Sequence, residues 1–164
     1  MITIKCTHCN KWDDCCFFCT MNKIIGCTVL FFLISISVCS QSIIIAEISN
    51  VKNDNGLCRA CLFKDQATFE GATGKPLQCV SAPVKVHTAQ AVFNNVLPGT
   101  YAIFVFHDAN SNNKIDKNFI GIPKEGYGAS NNKLPFAGAP SFNENKFSLN
   151  GRTTKILQIK IRNI

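Results

Sequence analysis

Nowhere in this chain does a run of basic residues interleave with stacking aromatics, and there is neither a G-x-S-x-G elbow nor a glycine-rich phosphate loop opening a helix. A nucleic-acid partner and a serine nucleophile of the elbow type are therefore not expected. Tryptophan occurs once, as Trp12, and seven of the ten cysteines crowd into the first forty residues, so composition divides the chain near that point. Past it no segment carries helical spacing of apolar residues, which argues against a helical bundle. At 164 residues there is room for one domain with one core.

Residues 21–40 read as a bacterial secretory signal. Lys23 supplies a basic n-region, and Ile24 to Val38 an apolar stretch broken only by Gly26, Thr28, Ser35 and Ser37. Val38-Cys39-Ser40 offers small residues before a cleavage that makes Gln41 the new N-terminus. The signal helix is shorter than the about 20 apolar residues a bilayer span needs, so no membrane span is expected after cleavage; an uncleaved anchor is the alternative. Ile36-Ser37-Val38-Cys39 resembles a lipobox only loosely, because Val38 is branched. With Met21 as the start, residues 1–20 are a non-functional upstream extension. Their Cys6-x-x-Cys9 and Cys16-x-x-Cys19, beside His8 and Cys15, have zinc-knuckle spacing. A metal ribbon directly before an export signal makes little physical sense.

Residues 41–164 are then the folded domain, with fourteen Lys and Arg against eight Asp and Glu, a formal +6. The excess is scattered, although Lys114, Lys117, Lys124 and Lys133 share one long loop. Such a charge licenses weak attraction to an anionic surface or polysaccharide.

Every strong pattern in this part has strand character. Ile43 to Val51 and Leu57 to Phe63, around the turn residues Asn53 to Gly56, predict a hairpin. Alternation puts Cys58, Ala60 and Leu62 on one face and Leu57, Arg59, Cys61 and Phe63 on the other. Leu77 to Val86 and Ala89 to Val96 are extended, and 64–76 reads as a loop. Tyr101 to His107 is the most apolar stretch; Ile103 and Val105 on one face with Ala102, Phe104 and Phe106 on the other predict a central strand buried on both sides. Residues 108–142 form a long insert without helical or strand period, of the kind that usually binds something or is ordered by its own contacts. Lys146 to Leu149 and Thr153 to Ile161 predict a last hairpin around Asn150-Gly151. The fold expected is all-β, a single antiparallel β-sandwich of about seven strands.

Asp108, Asn110, Asn112 and Asp116 place oxygen side chains in a D-x-N-x-N-x-x-x-D pattern, with Lys114 offering its carbonyl, a spacing that can wrap a calcium ion. Asn113 and Phe119 stand where an EF-hand has glycine and glutamate, so the loop is no EF-hand and Glu125 is the nearest carboxylate to complete the set. The competing reading is an asparagine-rich turn held by side-chain to backbone hydrogen bonds. His107 and Asp108 are neighbours on a strand and point to opposite faces, so no catalytic pair is implied. Among Cys58, Cys61 and Cys79 the first two lie on opposite faces, which leaves Cys79 as the better partner for either.

Asn95-Val-Leu-Pro-Gly-Thr-Tyr-Ala102, Phe106-His-Asp-Ala-Asn-Ser-Asn112, Phe119-Ile-Gly-Ile-Pro-Lys-Glu-Gly-Tyr-Gly128 and Ser130-Asn-Asn132 resemble the bacterial domain-of-unknown-function 2141 family over about Ile43 to Ile161. The resemblance implies an exported envelope protein with a β-sandwich in the style of transthyretin-like and carboxypeptidase regulatory-like domains, and brings no activity. It puts Asp108, Asn110, Asn112 and Asp116 on an acidic loop, and Gly121, Pro123, Glu125, Gly126, Tyr127, Gly128, Ser130 and Asn131 on a second motif. This chain departs in having Asn113 where the family prefers glycine and Ala129 where it prefers phenylalanine.

The function expected is a non-catalytic binding or accessory module, exported to the periplasm, outer envelope or medium, whose loop binds calcium and contacts an envelope protein, peptide or glycan. His107, Gly121, Pro123, Gly126, Tyr127, Ser130 and Asn131 form the candidate surface site beside it. The alternatives are an envelope hydrolase using Glu125, His107 or Asp108 as acid or base, and a purely structural subunit.

Overall fold

The computed structural model describes residues 41–71, 74–119, 123–136 and 138–164. The upstream extension and the signal segment, 1–40, lie outside them, as does Gly121. The described residues, from 41 onward, make one compact unit that holds both hydrophobic cores and the disulfide, and so has what it needs to fold on its own.

The fold is all-β. Strands β1 (Ser42–Ser49), β2 (Leu57–Phe63), β3 (Gln78–Pro83), β4 (Ala89–Val96), β5 (Gly99–Asp108), β6 (Tyr127–Ala129), β7 (Phe147–Leu149) and β8 (Thr154–Lys160) are joined by two four-residue helices, α1 (Gln66–Phe69) and α2 (Phe142–Asn145). One sheet runs β4-β1-β8, and the other β3-β2-β5-β6 with β7 also paired to β5. Alternation selects the faces. Ile44, Ala46 and Ile48 of β1, Cys58, Ala60 and Leu62 of β2, Ala91 and Phe93 of β4, Ile103 and Val105 of β5, and Leu157 and Ile159 of β8 pool into one core fed by both sheets.

β5 is the centre of the larger sheet and is buried on both faces, as its composition predicts. Its second face, with Ala102 and Phe104, meets a smaller cluster of Cys61, Phe63, Phe69, Ala129 and Phe142. The two helices are too short to show a period; each contributes one phenylalanine to this cluster. Phe69 stands edge-on to Phe63 at 5.3 Å and to Phe142 at 5.9 Å between ring centroids, a favourable aromatic geometry. The disulfide joins Cys61 to Cys79 at paired positions of β2 and β3, and leaves Cys58 buried as a free thiol.

Several expectations are corrected. The predicted first hairpin does not form, because β1 and β2 belong to different sheets. The predicted last hairpin does not form either: β7 pairs with β5 and β8 with β1. The link between them is hooked onto the start of β1, where Ser42 Oγ donates to the Gly151 carbonyl and Ile43 N–H donates to the Thr153 carbonyl at 3.0 Å. That hook delivers β8 beside β1 in the same direction, so the sheet is not wholly antiparallel. The stretches read as loops at 64–76 and 108–142 hold α1, β6 and the start of α2.

A turn at the β3–β4 link shows how exposed carboxylates hold this fold. Val86 and His87 have φ of 52° and 58°, a left-handed conformation that a β-branched residue rarely takes. Asp54 stabilises it by accepting the N–H groups of both residues at 2.8 Å, and those bonds hold its carboxyl below the usual 3.8. Asp65 and Glu70 are lowered likewise, first by hydrogen bonds from Thr68 N–H and from Gln66 respectively. A carboxylate with a depressed folded pKa contributes stability that is complete above its unfolded value and is lost as pH falls through the folded one. Thermal midpoints recorded across that window should therefore drop below about pH 4. Asp54→Asn should flatten part of this drop, and an identical pH profile for the variant would contradict the assignment.

Candidate functional site

The long insert leaves the end of β5, where Asp108 is 1 % exposed. Gly56 makes that burial possible. Its φ is +69°, and a Cβ there would lie 2.1 Å from the Asp108 carbonyl, so only glycine admits this approach. Asp108 then turns its carboxylate onto the loop it begins, Oδ1 accepting Asn112 N–H at 3.0 Å and Oδ2 accepting Asn113 N–H at 2.7 Å. Asn113, with φ of 64°, takes the left-handed conformation that asparagine tolerates better than most residues. Its Oδ1 accepts Arg59 Nη1–H at 2.6 Å, which ties the loop to β2.

Inside the turn the asparagines make Asx-type bonds: Asn110 Oδ1 accepts Asn112 N–H at 3.1 Å, and Asn112 Oδ1 accepts Lys114 N–H at 2.8 Å. Their amide nitrogens both aim at Asp116, Asn110 Nδ2 at Oδ2 (2.8 Å) and Asn112 Nδ2 at Oδ1 (3.1 Å). Glu125 closes the base, its two oxygens accepting Ala109 N–H at 3.2 Å and Asp116 N–H at 3.0 Å. Asp108, Asn110, Asn112, Lys114, Asp116 and Glu125 are thus gathered in one hydrogen-bonded loop. Among the described residues no three His, Cys, Asp or Glu side chains are grouped as a metal site, so an ion here would depend on the asparagine oxygens.

The residues set apart as a surface site divide differently. His107, Tyr127 and Ser130 are buried, which corrects their placing on the surface; Asn131 is exposed, and Pro123 and Gly126 are half-buried. The His107 ring donates from Nε2 to the Asn55 carbonyl at 2.7 Å. His107, Asp108 and Glu125 each bond backbone groups and not one another. Ser130 Oγ accepts Ile103 N–H at 3.1 Å and donates to the Asn145 carbonyl. Asn131 Nδ2 reaches the Glu144 and Lys146 carbonyls, both at 3.1 Å. Asn132 accepts Lys160 N–H and donates to the Gln158 carbonyl. The Ser-Asn-Asn run is a staple between β6, α2 and β8. Gly126 and Gly128 serve the same seam, because a Cβ on either would come within 3.0 Å of Ile161 or Ile159.

Sequence reasoning missed Arg59, which looks like any strand arginine, and Asn145, which is fully buried. Only the fold reveals that either is engaged.

These features define an all-β protein whose longest loop is clamped at both ends by carboxylates. Residues 46–157 match the family described as "Uncharacterized protein conserved in bacteria (DUF2141)", and the chain belongs to that family. No curated protein and no solved structure matches it.

Proposed function

We propose that this is an exported, non-catalytic binding module of the bacterial envelope, a β-sandwich of transthyretin-like style whose Asp108 to Asp116 loop takes calcium. The observation that carries the reading is that four oxygen-bearing side chains, Asp108, Asn110, Asn112 and Asp116, converge in one short turn whose Asp116 carboxylate has no ion pair among the described residues. Calcium favours six to eight oxygens in flexible geometry, and this loop concentrates hard oxygen donors without soft ones. Asp108, Asn110, Asn112 and Asp116 would hold the ion with the Lys114 carbonyl, while Glu125 keeps the two ends of the loop together. The module would meet an envelope protein, peptide or glycan through this loop, since loops on rigid sheets are common carriers of binding.

Calorimetric titration of residues 41–164 with calcium tests the reading, alongside thermal unfolding with and without a chelator. Binding heat and a raised midpoint are expected, both lost in Asp116→Ala. A flat titration with unchanged unfolding would leave the loop a hydrogen-bonded turn and nothing more.

A further inference from the structure

Ile45 pairs with Val92 on one side and Ile156 on the other, and Glu47 likewise with Gln90 and Gln158. Because Ile44, Ala46 and Ile48 take the core side of β1, these residues share the face of the β4-β1-β8 sheet that is turned away from it. That face therefore carries an aliphatic row beside a polar one. The polar row borders a groove of about 540 Å³ that extends to Ser49, Lys85 and Thr88. Ligand clefts usually measure about 300–1,000 Å³.

One wall of the groove is built in advance. Lys85 and Thr88 exchange backbone hydrogen bonds at 2.8 and 3.1 Å around Val86 and His87, whose left-handed backbone is held by Asp54 from the β1–β2 link. Strain of this kind persists where the surroundings over-determine it, and it clusters at ligand clamps. Glu47 is half-buried, and its Oε2 accepts Gln158 Nε2–H at 2.8 Å, which fixes the middle of the polar row. The lining holds one carboxylate, Glu47, and one ammonium, Lys85, so the groove is balanced in charge on a domain that is basic as a whole.

From this groove we infer a site for a neutral glycan in extended form. Its hydroxyls meet Gln90, Glu47 and Gln158, and its C–H faces lie on Val92, Ile45 and Ile156. Carboxamides donate and accept, as hydroxyls do, and a groove without net charge favours neither a polyanion nor a polycation. An extended peptide would instead pair its backbone along a sheet edge, whereas these rows cross three strands on their face. The calcium loop leaves β5 of the other sheet, so this binding needs no ion.

Titration of isotope-labelled residues 41–164 with cellohexaose and with chitohexaose, followed by nuclear magnetic resonance in chelator, tests it. Saturable shifts of the Gln90 and Gln158 side-chain amide signals are expected with at least one of the two sugars, and none with a capped hexaserine peptide. Gln90→Ala combined with Gln158→Ala should weaken binding about ten-fold through the hydrogen bonds lost. Asn94→Ala, exposed on the same strand but outside the groove, should bind as the parent does. Absence of saturable shifts with both sugars, shifts centred elsewhere, equal loss in Asn94→Ala or tighter binding of hexaserine would overturn the inference. Unchanged thermal midpoints keep a loss of binding distinct from misfolding. Asp116→Ala should bind the sugars as the parent does, so the calcium titration stands or falls independently of these results.

Discussion

Asn145→Ala should lower the unfolding free energy by about 3 kcal/mol, measured as a shift in denaturant midpoint at constant slope. The residue is fully buried, and no charge is involved. Its Oδ1 accepts Lys133 N–H at 3.2 Å, while its Nδ2 donates to the Lys133 carbonyl at 2.8 Å and to the Ser141 carbonyl at 2.9 Å. One side chain therefore satisfies three peptide groups where the chain enters α2. Alanine would leave those groups to find water or remain unpaired, each at a cost of about 1–3 kcal/mol where water cannot reach. Asn131→Ala makes the comparison useful. Its side chain also reaches two carbonyls, but from an exposed position, and about 1 kcal/mol is the expected loss because water can replace it. Equal losses for the two would mean that burial does not set the strength of this seam.

Opening the disulfide should be comparably damaging. Cys61 and Cys79 close a loop of sequence separation 18, and such a cross-link stabilises by about 3 kcal/mol through the unfolded chain. Cys79→Ala, or mild reduction, should move the denaturant midpoint accordingly. Cys58 supplies an internal control. Burial pushes its thiol up to about 12, so it holds almost no thiolate near neutral pH. After reduction of the folded protein, an alkylating reagent should label the half-buried Cys79 while sparing Cys58 until the domain unfolds. Rapid labelling of Cys58 in the native state would contradict its place in the main hydrophobic core.

Both expectations concern residues that a linear reading treats unequally. The pairing of Cys79 with a β2 cysteine follows from alternation, since Cys58 and Cys61 point to opposite faces; that Cys61 is the one chosen depends on the register of β3. Asn145 carries no local signal at all. It follows a short polar stretch and would pass for a loop residue. Likewise the Ser130-Asn131-Asn132 run is conspicuous as a motif, but its hydrogen bonds run to α2 and β8, 13 to 28 residues further along.

By itself the sequence determined, β6 excepted, which stretches are extended and which face of each is apolar, and that Tyr101 to His107 lies at the centre of a sheet. It also determined the oxygen-rich spacing from Asp108 to Asp116. These are properties of neighbouring residues, set by the two-residue repeat of a strand and by the turn chemistry of asparagine and aspartate. Tertiary structure alone decided that β1 and β2 part to different sheets, that β8 runs parallel to β1, and that His107, Tyr127 and Ser130 are inside. It also decided that Glu125 and Asp108 clamp the loop, with the lysines and Phe119 left facing outward. Strand partners are chosen by contacts between distant segments, where burying matched apolar faces and satisfying every covered peptide group outweighs any preference written in a short window of chain.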